Sequence, residues 1–141
     1  MNLDDVVYKD TIVFKPDITH GKVIKVYDGD TITIATKLPY ENSPFFRFSV
    51  RLRGIDCPEI RTKNENEKKC AKIAKQLLVD HIYHKIVTLK NVDYDKYGRV
   101  LADVYLDNIN ITSLLIDKKL AVVYDGGTKH TPDDWLTYYQ G

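Results

Sequence analysis

Phe46, Phe48, Val50 and Leu52 alternate with Arg47, Ser49, Arg51 and Arg53, a period of two that predicts a strand with apolar groups on one face and arginines on the other. Upstream, Lys22 to Tyr27 and Thr31 to Thr36 are rich in Val, Ile and Thr. They flank Asp28-Gly29-Asp30, where a glycine between two aspartates favours a tight turn, so these runs predict a hairpin. From Glu65 the period lengthens. Cys70, Ile73, Ala74, Leu77, Leu78 and His81 follow the spacing of one helical face and predict a helix of about five turns. Asn64 with Glu67 forms a capping box at its start, and Lys68, Lys69, Lys72 and Lys75 fall on the water side. Lys85 to Asn91 and Arg99 to Leu106 read as two further strands around the polar loop from Asp93 to Gly98. Asp107-Asn108 is a turn, Thr112 caps a short helix from Ser113 to Lys119, Leu120 to Tyr124 is a brief apolar run, and the segment from Tyr124 to His130 is a loop.

Three strands before the first helix and two after it argue against repeated βαβ units. The expected fold is α+β: a five-stranded OB-fold barrel with two or three helices packed on it. No repeat, low-complexity tract or linker interrupts the chain. Residues 1–141 therefore read as one domain with a core from about 20 to 130 and short extensions.

Composition narrows the functional classes. Hydrophobic residues make up 43% and charged residues 29% of the 141, which suits a packed globule rather than a disordered chain. Lys and Arg total 21 against 20 Asp and Glu, so a polyanionic partner would have to meet a local patch. No apolar run is long enough to cross a bilayer, and the acidic start MNLDDVVYKD lacks the basic then apolar order of a signal peptide. These features predict a soluble, intracellular protein without a membrane partner, acting as a monomer. Cys57 and Cys70 are too few for a disulfide scaffold and fit a reducing compartment.

Three polar segments break the strand pattern: Asp28 to Thr31 (DGDT), Arg51 to Glu59 (RLRGIDCPE) and Asp95 to Arg99 (DKYGR). Each sits at a strand end or turn, where side chains from separate parts of the chain converge, and together they supply carboxylates and arginines. In this order they resemble the motifs of the staphylococcal nuclease-like, or thermonuclease, family. The resemblance runs from about Gly21 to Lys129. It implies an OB-fold nuclease that uses Ca²⁺ to hydrolyse phosphodiester bonds of DNA and RNA, leaving 3′-phosphate ends.

Carried over residue by residue, the resemblance makes Asp30 and Asp56 the metal carboxylates and the backbone carbonyl of Cys57 a further ligand. Such an oxygen set suits a hard cation that takes about six to eight oxygens, and it leaves places for water and a phosphate oxygen. Glu59 is then the group that orients or deprotonates the attacking water, and Arg51 and Arg99 clamp the phosphate with their planar forks. Lys96, Tyr97 and Tyr124 line the bound nucleotide, although the ending Tyr124-Asp125-Gly126-Gly127 departs from the best-known member. Asp28 reads as a turn residue, Arg47 and Arg53 as solvated or paired, and Cys70 as a small core residue. The Cys57 thiol is expected to stay idle, because the metal prefers hard oxygen, and unbridged to Cys70, because the helical stripe buries Cys70 while Cys57 belongs to the loop of the site. Arg61, Lys63 and the helix lysines form a basic run that is either a solvated face or a path for a nucleic-acid backbone. The rival from another class is a non-catalytic OB-fold nucleic-acid binding module, which has no physical need for all five of Asp30, Arg51, Asp56, Glu59 and Arg99.

Overall fold

The computed structural model describes residues 1–125, 127 and 130–141; Gly126, Thr128 and Lys129 of the loop expected after Tyr124 lie outside the described residues. Two single 3-10 turns, Leu3–Asp5 and Tyr8–Asp10, precede the first strand. Strands β1 (His20–Val26) and β2 (Thr31–Lys37) form the expected hairpin, and β3 (Phe45–Leu52) pairs with β2 in antiparallel register from Thr31↔Arg51 to Lys37↔Phe45. A two-residue β4 (Ile55–Asp56) and helix α1 (Glu65–Ile82) come next. Beyond them lie β5 (Ile86–Tyr94), β6 (Val100–Leu106), the short β7 (Ile109–Asn110), α2 (Ile111–Asp117), the short β8 (Val122–Val123) and α3 (Trp135–Gln140).

The sheet runs β3-β2-β1-β5-β6-β7, and a parallel pairing of β3 with β6 at Val50↔Val100, Arg51↔Leu101 and Leu52↔Ala102 closes it into a five-stranded barrel. The predicted α+β barrel, with three helices, is the observed fold. Its closure removes the strand edges that an open sheet would expose. The alternation along β3 has the expected consequence: Val50 and Leu52 are fully buried with Val23, Ile32, Ile34, Val87 and Val104, while Arg47 and Ser49 face solvent. Each such apolar side chain removed from water contributes about 1.5–3 kcal/mol.

Local boundaries differ in instructive ways. Helix α1 buries Cys70, Ala71, Ala74, Leu78 and Ile82, leaving Ile73 and His81 exposed. The row spaced by four, lined by small residues at 70, 71 and 74, lets the helix lie closely on the barrel and turns the predicted stripe slightly away. Asn64 does cap α1, accepting the Glu67 N–H at 2.9 Å. Glu67 does not complete the box: its carboxylate accepts the Glu59 backbone N–H at 2.8 Å and faces the Thr62 hydroxyl at 3.5 Å. Helix α2 begins two residues earlier than expected. Asp107 and Asn108 both take positive φ (49° and 71°), so the turn is tight enough for Asn110, not Thr112, to cap the helix by accepting the Thr112 N–H at 2.9 Å. The Thr112 hydroxyl is buried without a hydrogen-bond partner among the described residues.

Two long-range ties bring distant segments to the end of the barrel. β4 pairs with β8 through Ile55↔Val123 and Asp56↔Val122, and the Tyr124 N–H donates to the Gly54 carbonyl at 2.8 Å, drawing Tyr124 beside the Arg51–Glu59 segment. Helix α3 docks on α1 through buried Trp135, and its N-cap Asp134 also accepts from the Asn66 side chain at 3.3 Å. Among the described residues no helix is long and apolar enough to cross a membrane.

Candidate active site

The 28–31 turn is shaped by its own side chains. The Asp30 N–H donates to Asp28 Oδ1 at 3.1 Å, and the Thr31 hydroxyl donates to Asp30 Oδ1 at 3.0 Å. The Leu52 N–H donates to the Asp30 carbonyl at 2.8 Å, fixing the turn to the end of β3. A methyl group on Gly29 would lie 2.8 Å from the Ala74 Cβ and 3.3 Å from the Cys57 sulfur. Only glycine lets the turn press this closely on α1 and the Cys57 loop.

Arg51 is the next outward residue of β3 toward that turn. Its Nη2 lies 3.4 Å from Asp30 Oδ2 and 3.7 Å from Asp56 Oδ1, while Nη1 donates to the carbonyls of Leu52 at 2.8 Å and Ile55 at 3.1 Å. Asp30 and Asp56 are buried, at 9% and 5% exposure, and carboxylates at that depth require a cationic partner. One guanidinium serves both. The Asp28 carboxyl is pushed up to about 7, first by burial and then by the hydrogen bond and charge of neighbouring Asp30. Two carboxylates therefore share one arginine, and a third carboxyl sits against Asp30.

Arg99 is held differently. It lies just past the turn between β5 and β6, where Gly98 takes φ 84° and Asp95 Oδ1 accepts the N–H groups of Tyr97 at 2.9 Å and Arg99 at 2.8 Å. Asp95 Oδ2 accepts from Arg99 Nε at 2.7 Å. Burial alone would raise Asp95, but its hydrogen bonds to the Arg99 guanidinium and to the Arg99 and Tyr97 N–H groups hold it below the ordinary carboxylate value.

These segments enclose a cavity of about 380 Å³ whose wall includes Asp30, Asp56, Cys57, Glu59, Arg51 and Arg99. Asp28 lines it too. An adjoining cavity of about 370 Å³ shares Arg51 and Arg99 and adds Arg53 and Tyr124. Arg53 also donates through Nη1 to the Asn91 carbonyl. Lys96 and Tyr97 line neither cavity. Tyr97 is 75% exposed with the Lys96 ammonium 5.2 Å over its ring, and Lys96 borders a separate hollow beside Phe14 and Phe48. Cys57 is buried, and burial, followed by the charges of Asp30, Asp28 and Asp56, pushes its thiol well above the ordinary range. Both cysteines are free thiols.

The donor set meets the requirements of a hard divalent cation in part. Among the described residues no three His, Cys, Asp or Glu side chains converge as a self-sufficient metal centre. Two buried carboxylates and the backbone carbonyl of the adjacent Cys57 are oxygen donors, the type that Ca²⁺ takes.

Two residues at this site carry more than sequence reasoning assigns them. Asp28 makes the expected turn hydrogen bond, but its depth comes from α1 docking on Gly29, an approach of two segments far apart in the chain. Glu67 reaches back to Glu59 rather than to its own helix; a glutamate three residues after an N-cap is the signal the sequence offers.

The profile of the staphylococcal nuclease homologue family matches residues 49–140, from β3 through α3. A probable endonuclease of Schizosaccharomyces pombe is 39% identical, over 75% of this chain and 56% of its own length. Uncharacterized endonucleases of Escherichia coli and Haemophilus influenzae are 32% and 35% identical, over 75% and 73% of this chain and 61% and 51% of theirs. The chain thus spans little more than half the length of these relatives. The matched residues hold the Arg51–Glu59 and Asp95–Arg99 segments and amount to more than half of the chain, which therefore belongs to the staphylococcal nuclease homologue family.

Proposed function

We propose that the protein is a nuclease that hydrolyses phosphodiester bonds of DNA and RNA and leaves 3′-phosphate ends. The observation that carries this reading is the convergence of Asp30, Arg51, Asp56, Glu59 and Arg99, drawn from three separated segments, on one cavity. A bound Ca²⁺, held by Asp30, Asp56 and the Cys57 carbonyl, would supply positive charge to a phosphate oxygen. Arg51 and Arg99 both line this space, so a phosphate there meets positive charge as its own negative charge grows, with the Arg51 guanidinium also holding Asp30 and Asp56. Asp95 fixes Arg99 through Nε at 2.7 Å and leaves the Nη groups to the substrate. Glu59 stands at the wall of the cavity with its backbone anchored on Glu67, where it takes the proton of the attacking water. The water oxygen bonds to phosphorus as the bond from phosphorus to the 5′ oxygen breaks, the 5′ oxygen takes a proton from solvent water and leaves as a hydroxyl, and the phosphate stays on the 3′ side. Tyr124 in the adjoining cavity suits the neighbouring nucleotide, with Lys96 and Tyr97 further along the Asp95–Arg99 loop.

Incubation with plasmid, single-stranded DNA and RNA, each with Ca²⁺, with Mg²⁺ and with chelator, tests this reading. Calcium-dependent products that carry a 3′-phosphate are expected. Binding of nucleic acid with no cleavage under any condition would return the protein to the class of non-catalytic binding modules, and undiminished cleavage in excess chelator would sink the metal role.

A further inference from the structure

We propose that the outward face of β1, β2 and β3 is a track for a single phosphodiester strand running away from the catalytic cavity. The inference rests on the nuclease reading and adds where the substrate lies beyond the reacting phosphate. The three strands, HGKVIKV, TITIATK and FFRFSVRL, contain no Asp or Glu. Their register sets the outward residues in rows. Thr31 faces Arg51 at the cavity mouth; Lys25, Thr33 and Ser49 form the next row; Lys22, Ala35 and Arg47 form the one after; Lys37 faces Phe45 at the far end. Small and hydroxyl side chains of β2 make the floor, and cations from β1 and β3 make the rims.

The surface is hollowed along this line. A cavity of about 450 Å³ is lined by Lys25, Thr33, Arg47 and Ser49, and Ser49 also lines the catalytic cavity. The next hollow, about 430 Å³, includes Lys22, Ala35, Lys37 and Phe45. From Thr31 to Lys37 the line is about 20 Å long at the rise of an extended strand. Lys22, Lys25 and Arg47 are exposed, and none forms an ion pair with a carboxylate among the described residues. Unpaired cations in a groove that opens into a phosphate-binding cavity match a polyanion. Phe45 is 72% exposed at the far end, with the Lys37 ammonium 4.9 Å over its ring, and offers a flat face for an unpaired base. The lysines of α1 are less suited: Lys68 lies 3.8 Å from Glu65, and Glu67 and Asp80 share the helix.

The test uses the whole chain, a labelled oligothymidylate of about a dozen nucleotides and a thymidine dinucleotide too short to leave the cavity. Lys22→Gln, Lys25→Gln and Arg47→Gln are combined; all three positions are exposed, and an unchanged thermal midpoint checks folding. Anisotropy in chelator should show affinity for the oligonucleotide down by about 10- to 100-fold near 0.1 M salt. The slope of log affinity against log salt should become shallower by about 2, at about 0.7 for each phosphate that is no longer neutralised. With metal, the KM for the oligonucleotide should rise while turnover of the dinucleotide stays at the wild-type value. Arg47→Glu alone should give a similar direction, and Lys69→Gln with Lys72→Gln should change neither reading. Wild-type affinity and salt slope in the triple variant, or equal losses on the dinucleotide and the oligonucleotide, would overturn the track. If the wild-type chain cleaves neither substrate, the nuclease reading fails by itself, and the anisotropy still decides whether the groove binds.

Discussion

Asp28 and Asp95 perform the same local task and end in opposite electrostatic states. Each opens a glycine-containing turn by accepting the N–H two residues ahead, at 3.1 Å in one case and 2.9 Å in the other. Asp95 then meets Arg99 one to one, and its carboxyl is held low. Asp28 meets Asp30, the nearby Arg51 is already engaged with Asp30 and Asp56, and its carboxyl rises to about 7. The comparison separates two ends of one cavity. The 28–56 end carries more carboxylate than Arg51 neutralises, which is where the proposed divalent cation would act. At the 95–99 end Asp95 is matched by Arg99, Lys96 adds a further positive charge, and Arg99 is the group proposed to meet an anion.

The largest expected effect comes from removing the shared guanidinium. Arg51→Ala leaves Asp30 and Asp56 buried without its charge and should lower stability by about 3 kcal/mol. Urea unfolding should register this loss and, if the surplus charge is what matters, a partial return on adding Ca²⁺. A variant as stable as wild type would mean that the two carboxylates do not depend on Arg51. At the other end, Arg99→Lys should leave the unfolding midpoint unchanged, because Arg99 is 40% exposed and, among the described residues, forms its ion pair with Asp95 alone. Its turnover should fall about a hundredfold, as for loss of one preorganised donor. A change confined to KM would instead make Arg99 a binding group.

The pH dependence of the two aspartates should carry opposite signs. Asp28 is raised, so the folded chain favours its protonated form; that advantage is complete below the ordinary value of 3.8 and is lost as pH rises through about 7. Asp28→Asn should therefore stabilise by about 1 kcal/mol near pH 8, after solvent screening is allowed for, and give no gain near pH 4. Asp95 is lowered, so its contribution is present above 3.8 and is lost as pH falls through its depressed value. Asp95→Asn should cost stability at neutral pH and nothing in strong acid. Urea midpoints over a pH series read both, and equal slopes for the two variants would erase the contrast. The smallest effect is expected at Cys57, whose thiol is buried and raised: Cys57→Thr should retain activity within about twofold, and the wild-type thiol should resist alkylation until the chain unfolds.

How much of the molecule is legible in the sequence depends on the range of the interactions involved. The barrel and the outward face of β3 come from period-two patterning and the order of elements, whereas the pairing of Arg51 with Asp30 and Asp56 is not legible, since the motifs point Arg51 at a phosphate and the two carboxylates at a metal. The depth of Asp28 is not legible, because it depends on Ala74 of α1 seating against Gly29. Nor is the course of Glu67, since a capping box and a reach to Glu59 share one spacing. The cap at Asn110 is displaced by two consecutive positive-φ residues, a turn geometry that composition alone does not assign to one residue. The cationic rows on β1 to β3 are only isolated lysines and arginines until strand register aligns them.

The most direct measurement is cleavage of single-stranded DNA by Asp56→Asn across a calcium titration, with folding checked by urea unfolding. Asp56 is the buried carboxylate that reaches the cavity from β4 and shares Arg51 with Asp30. A fall in rate of at least about a hundredfold at calcium levels that saturate the wild type, partly recovered as calcium is raised, is expected for the loss of one anionic ligand. A folded Asp56→Asn that cuts at the wild-type rate and the wild-type calcium midpoint would contradict the assignment of this cavity as the catalytic centre.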